Sequence, residues 1–421
     1  MLVLLLVAVA AVSAVQLPLT YTDSLRVKLY KEGKLAEYVQ KKNDRLTSKD
    51  AVASTGVIDY EDMAYMISIT LGTPSQTFVT FIDSGSANLW VPNQNCGGDS
   101  STTCGSYCHT VPYEDCLTFC ANSCCKKTAV EVVAAATNPC ASKHRFINST
   151  SNTFKTYPGT FSITYNTGDV LGTYGMDRFC LSGTTLCADS QIFGLASTIG
   201  ADFGKQPEDG IIGLGWPSLA IDQIKPPMFS LMDQEKLNKP LFTVYMAGIG
   251  PTSSLNGGTF TAGDVDTNNC GDVNYIPLTS KSFWQFKMSG VKASTYSNTP
   301  TSGWQAISST SSSLIGGPKT VIDSIASAVG AKYYAVFDSY FIDCDAETPD
   351  IIFTINGVDY HVTPKNYVIS MGTGPCLFAF FTIQGGGFYP SWMLGPPLIR
   401  EYCQVHDMQN GQLGMAKVLP H

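Results

Sequence analysis

Residues 80–92, TFIDSGSANLWVP, constrain this chain more tightly than any other stretch. A β-branched and aromatic run enters Asp83-Ser84-Gly85-Ser86 and leaves through Leu89-Trp90-Val91-Pro92. That pattern predicts a buried strand ending in a tight turn, with a carboxylate held among hydroxyls. Gly85 gives the turn a residue without a Cβ. Ser84 and Ser86 are placed to hydrogen-bond the Asp83 carboxylate, and such donors favour its ionised form. A strand-ending Asx turn is the plain alternative for so short a motif.

The chain has 421 residues, 44% of them hydrophobic and only 14% charged, with 38 Gly and 22 Pro. That length accommodates two lobes, and low charge with abundant Gly, Ser, Thr and aromatics predicts an all-β protein. A net charge of −8 argues against a nucleic-acid partner. Residues 16–47 run against this balance, with seven Lys/Arg to four Asp/Glu, which leaves about −11 for the remainder. Residues 1–14, MLVLLLVAVAAVSA, read as a signal peptide without its usual basic start. No later stretch is long and apolar enough to span a bilayer. An exported protein follows from this, and fourteen cysteines in such a chain predict disulfides. Asn148-Ser149-Thr150 is a glycosylation sequon.

Residues 15–47 suit a short strand and an amphipathic helix, either a solvated surface helix or a basic segment lying over an acidic cleft. Residues 48–56 read as a loop. Ala64–Leu71 and Thr77–Ile82 are expected strands joined at Gly72-Thr73-Pro74. Residues 93–145 differ in kind, with Cys96, Cys104, Cys108, Cys116, Cys120, Cys124, Cys125 and Cys140 crowded together. Their spacing admits zinc, but export favours disulfides, and eight cysteines leave 105 pairings open. Thr160–Tyr165 alternates into a turn at Asn166-Thr167-Gly168 and predicts a hairpin. Cys180 and Cys187 bracket the tip of another hairpin closed by a disulfide.

The run DSGSANLWVP resembles the first active-site loop of pepsin-like aspartic proteases, departing only at Ala87, where that family has a second serine. YMISITLGTP, FSITYNTG and DGIIGLG continue the resemblance, which spans about residues 18–420 with 93–145 as the main gap. It implies a bilobal fold with a cleft between two β lobes, at 57–235 and 236–421, after a propeptide-like segment at 15–56. It makes Asp83 catalytic and FSITYNTG a flap carrying Tyr165, and sets Ser86, Gly85, Trp90, Thr167, Gly168 and Ser312 along or behind a peptide-binding groove. Ile211-Ile212-Gly213 should pack behind the Asp83 turn. Cys344 and Cys376 bracket a segment as a disulfide of that family does, and Cys270 and Cys403 remain and are paired with each other. In that family a prosegment lysine reaches the aspartates, but no lysine here can be assigned to that role.

Aspartic proteolysis needs a second carboxylate from the other lobe. Asp323-Ser324 copies Asp83-Ser84 superficially, but Ile325 stands where the turn needs glycine, and KTVIDSIASAVGA has a helical period. Aligned with the family frame, Gln305–Pro318 puts Ser309 at the aspartate position and Ser311 at the glycine. Pro396 likewise replaces an aspartate of the family's later I-L-G-D motif. His144 and His361 are the candidate bases for a rescued serine nucleophile, a role neither position favours.

The sequence thus predicts an exported, monomeric homologue of pepsin-like endopeptidases, secreted or lysosomal. It is catalytically impaired and keeps its cleft for a peptide or protein ligand. Two alternatives stand beside it: an active acid endopeptidase using a non-standard second carboxylate, and a non-enzymatic protein working through its cysteine-rich insertion. No metal or organic cofactor is implied.

Overall fold

A computed structural model describes residues 14–47, 64–97, 138–165, 168–247, 257–372, 374–383 and 390–420. The leader up to residue 13, the loop at 48–56, Thr167, and Cys104, Cys108, Cys116, Cys120, Cys124 and Cys125 lie outside them.

The expected first hairpin forms from Tyr65–Leu71 and Gln76–Asp83, in register from Met66↔Phe81 to Leu71↔Gln76, with Gly72 at φ 87° in the turn. Burial deepens along the second strand until Phe81 and Ile82 are fully enclosed, which carries Asp83 into the interior. Gly210–Gly213 runs parallel to its end, pairing Gly213 with Asp83, and Leu89–Pro92 lies antiparallel on the other side. Only glycine permits this crossing: a Cβ at Gly213 would sit 2.3 Å from the Ala87 carbonyl carbon.

The second half repeats the arrangement. Trp304–Ser308 runs parallel to Trp392–Leu394, and Ile315–Pro318 lies antiparallel to that strand through Gly316↔Met393. A Cβ at Gly395 would meet the Leu314 carbonyl oxygen at 2.2 Å. The two halves therefore end equivalent strands in equivalent turns, one at Asp83 and the other at Ser309, whose N–H donates to Leu394 O at 3.1 Å.

A sheet of thirteen described strands joins the halves, and a second sheet with a smaller four-stranded one completes the second lobe. The N-terminal segment is part of the large sheet. Val15–Tyr21 pairs with Gly258–Ala262 and, at its end, with Tyr65–Leu71. After it come two helices, Leu25–Lys31 and Leu35–Thr47, where the sequence pattern predicted one. Gly33, at φ 69°, separates them. Leu25, Leu29, Leu35 and Val39 form a buried cluster against Phe337, and Arg26 donates to Phe337 O, Asp338 O and Ser339 Oγ in the second lobe.

Four disulfides are present among the described residues. Cys180–Cys187, Cys270–Cys403 and Cys344–Cys376 join the pairs expected from sequence, and Cys96–Cys140 closes the base of the cysteine-rich insertion. No group of three or more His, Cys, Asp or Glu gathers to hold a metal among the described residues. Nor is any described helix long and apolar enough to cross a membrane. Cys270–Cys403 spans 133 residues and pins an edge of the joining sheet. Its Cys270→Ser/Cys403→Ser variant is expected to lose about 5 kcal/mol of stability by chain entropy. Urea denaturation of the variant beside the parent measures the loss.

One core side chain stands out chemically. His406, on the strand Tyr402–Asp407, is fully buried, stacked on Phe242 at 4.4 Å and edge-on to Trp284 at 4.6 Å. Neither ring nitrogen has a well-formed hydrogen bond. Burial among these rings pushes its pKa down to about 3.

Candidate active site

Asp83 is 1% exposed at the end of its strand. The turn folds back on the carboxylate: Gly85 N–H donates to Oδ1 at 2.7 Å and Ser86 Oγ–H donates to Oδ2 at 2.5 Å. The Ser311 hydroxyl, from the other half, and the Ser86 N–H also act on the carboxylate as donors. The sequence led us to expect Ser84 among these donors and a favoured ionised form, and both expectations need correction. The Ser84 hydroxyl points across to the other half, and desolvation by burial outweighs the donors, so the Asp83 pKa is raised. A raised folded-state pKa means that this group's stabilisation is complete below its unfolded value and is lost as pH climbs through the folded one. Asp83→Asn is therefore expected to raise the melting temperature at pH 7 and to leave it nearly unchanged at pH 3. Thermal melts at the two pH values test this.

The two turns are locked together by a reciprocal set of buried hydrogen bonds. Ser84 Oγ–H donates to Ser308 O at 3.0 Å and accepts from Thr310 N–H at 2.9 Å. Thr310 Oγ1–H donates to Ile82 O at 2.9 Å and accepts from Ser84 N–H at 3.0 Å. The lock is symmetric in position: Ser84 directly follows Asp83 in one turn, and Thr310 directly follows Ser309 in the other. Thr310 was overlooked in the sequence, although a hydroxyl residue directly after Asp83 and Ser309 alike was its signal.

Ser309 is fully buried, and its Oγ lies 3.1 Å from Ser311 Oγ. Gly85 fits against this pair because it lacks a Cβ, which would lie 2.9 Å from Ser311 Oγ. The remaining candidate groups are occupied elsewhere. Asp323 sits on the helix Lys319–Val329, bound to Lys319 and Tyr340. His144, largely exposed, pairs with Asp209, and His361 pairs with Asp350 at 3.1 Å, so neither imidazole activates Ser309. Pro396 begins the short buried helix Pro396–Ile399. In the N-terminal segment Lys31, Lys34 and Lys41 pair with Asp23, Glu32 and Glu37 of that same segment.

Beside the turn, Trp90 Nε1–H donates to Tyr165 Oη at 2.9 Å, and both rings pack against Phe203 at 5.4 and 5.5 Å. Trp90 is thus a buried support that fixes the tyrosine. Tyr165 pairs with Gly168 at the end of a long hairpin, where Gly168 has φ 123° and a Cβ would meet Gly200 Cα at 2.7 Å. The Ser312 hydroxyl is buried and closes a local turn with Leu314. Asn148 starts the surface turn Asn148–Thr150.

The eukaryotic aspartyl protease family profile matches residues 64–418. Aspartic protease 10 of Caenorhabditis elegans is 53% identical over 421 residues, covering 99% of this chain and 98% of that protein. Cathepsin E-A of Xenopus laevis is 31% identical over 434 residues, covering 100% and 97%, and pepsin A of Bos taurus 31% over 420 residues, covering 96% and 100%.

Proposed function

Because the chain belongs to the eukaryotic aspartyl protease family, we propose that it is an exported member with an impaired catalytic centre and a cleft retained for binding extended peptides. The observation that carries this reading is the pair of hydroxyls, Ser309 and Ser311, on the side facing Asp83. Peptide hydrolysis by a carboxylate pair has one ionised group take a proton from water while its protonated partner donates toward the carbonyl. A serine hydroxyl without an activating base does neither. By analogy with other catalytic units, deleting one member costs several orders of magnitude in rate, with positioning and contacts leaving a residue of activity.

The surrounding frame supports a retained groove: the reciprocal lock holds the two halves in contact, and the Trp90–Tyr165 pair holds the hairpin that would close over a peptide. On this reading the mature protein is a monomer that starts after the 15–56 segment. The leader and the disulfides favour export. Of the two destinations, secretion into a near-neutral medium suits it better than a lysosome, because in an acid lumen the unfolded chain binds a proton that the buried His406 does not, which lowers stability.

Purified protein incubated between pH 3 and 7 is expected to leave denatured globin intact while binding extended peptides. Robust, pepstatin-sensitive cleavage would refute the reading.

A further inference from the structure

Resting on the reading of an impaired centre, we infer that Ser311 plugs the position between the two halves where a water, or the hydroxyl of a tetrahedral species, would sit, so the cleft accepts planar peptides and rejects tetrahedral mimics. Ser311 hydrogen-bonds Asp83 on one side, and its Oγ lies 3.1 Å from Ser309 Oγ on the other. A single oxygen bridging the two facing residues does what a water held between them would do. Hydrogen-bonded oxygens approach no closer than about 2.5 Å, so a second oxygen has no room in the same place. The plug has little freedom to move. Ser311 is 5% exposed and Ser309 is fully buried. On each side of it the backbone is fixed, at Thr310 by the reciprocal lock and at Ser312 by its turn with Leu314.

The consequence is a reversal of the usual preference. A centre built for hydrolysis binds the tetrahedral form more tightly than the planar amide. Here the planar amide lies over the plug without displacing it, whereas an sp³ carbon bearing a hydroxyl drives its oxygen into Ser311 Oγ. Two separate changes therefore stand between this chain and catalysis: the missing carboxylate at Ser309 and the occupied water position at Ser311.

Two measurements on the purified protein test this. The first compares two otherwise identical extended hexapeptides, one with a plain central amide and one with a central statine-type secondary hydroxyl. The parent is expected to bind the amide peptide at least as tightly. Ser311→Gly should gain tenfold or more for the hydroxyl peptide with little change for the amide. A parent that prefers the hydroxyl peptide, or a variant whose preference is unchanged, overturns the inference. If neither peptide binds the parent, the retained groove of the preceding section fails, and the second measurement decides the plug separately. Denatured globin is incubated at pH 4 with Ser309→Asp and with Ser309→Asp/Ser311→Gly. Only the double variant is expected to cleave it, by at least a hundredfold over the single one. Cleavage by Ser309→Asp alone, or by neither, overturns the inference.

Discussion

His406→Phe is expected to stabilise the protein by about 3 kcal/mol more at pH 4 than at pH 7. The buried imidazole titrates near 3 in the folded protein and near its ordinary value when the chain is unfolded. Between those values the unfolded chain binds the extra proton, so the stability that the neutral ring supports is complete above about pH 6.5 and drains away as pH falls toward 3. Phenylalanine occupies the same stack between Phe242 and Trp284 and has nothing to protonate. It also removes two ring nitrogens that have no well-formed hydrogen bond, which adds a smaller gain at every pH. Urea titrations of parent and variant at pH 7 and pH 4 give the answer. An equal gain at the two pH values would mean that the ring is not held neutral by its surroundings.

Thr310→Val should cost about 3 kcal/mol while leaving the side chain's volume almost unchanged. The hydroxyl it deletes serves both halves at once, donating to Ile82 O and accepting from Ser84 N–H. Both groups are enclosed, so each is left without a partner and loses its hydration as well, at roughly 1–3 kcal/mol apiece. Ser84→Ala removes the mirror-image pair to Ser308 O and Thr310 N–H. Because the four bonds form one network, the double variant is expected to lose less than the sum of the two singles. Denaturant midpoints for the full cycle decide the matter, and strict additivity would show that the halves do not share the bonds.

The two turns differ in how far they could be read from sequence. The Asp83 half was legible because its strand is long, β-branched and one-sidedly periodic. The strands Tyr65–Leu71 and Gln76–Asp83 lie within one residue of their expected bounds, and the helix Lys319–Val329 occupies the stretch whose period excluded Asp323 as a site. For the other half the family frame proposes Ser309, since the glycines and Pro318 around it fix the spacing. The destination of the hydroxyls was not legible. Ser84, Ser86, Thr310 and Ser311 all bear small hydroxyls, and only the packing of the two halves separates a locking hydroxyl from one that donates to the carboxylate. His406 gave no warning because its strand is buried along nearly its whole length, so the alternation that would distinguish an inward position is absent. Export chemistry argued for disulfides in the insertion but not for their pairing, and Cys96–Cys140 shows only how its two ends are tied.

The placement of Val15–Tyr21 carries a consequence for any removal of the segment at 15–56. That ribbon occupies a lane between Gly258–Ala262 and the start of Tyr65–Leu71. Its departure bares amide and carbonyl groups along both banks, an invitation to any passing extended backbone. A monomer without the ribbon therefore needs another strand of its own chain to take over that lane; left open, the two bared edges favour pairing between molecules.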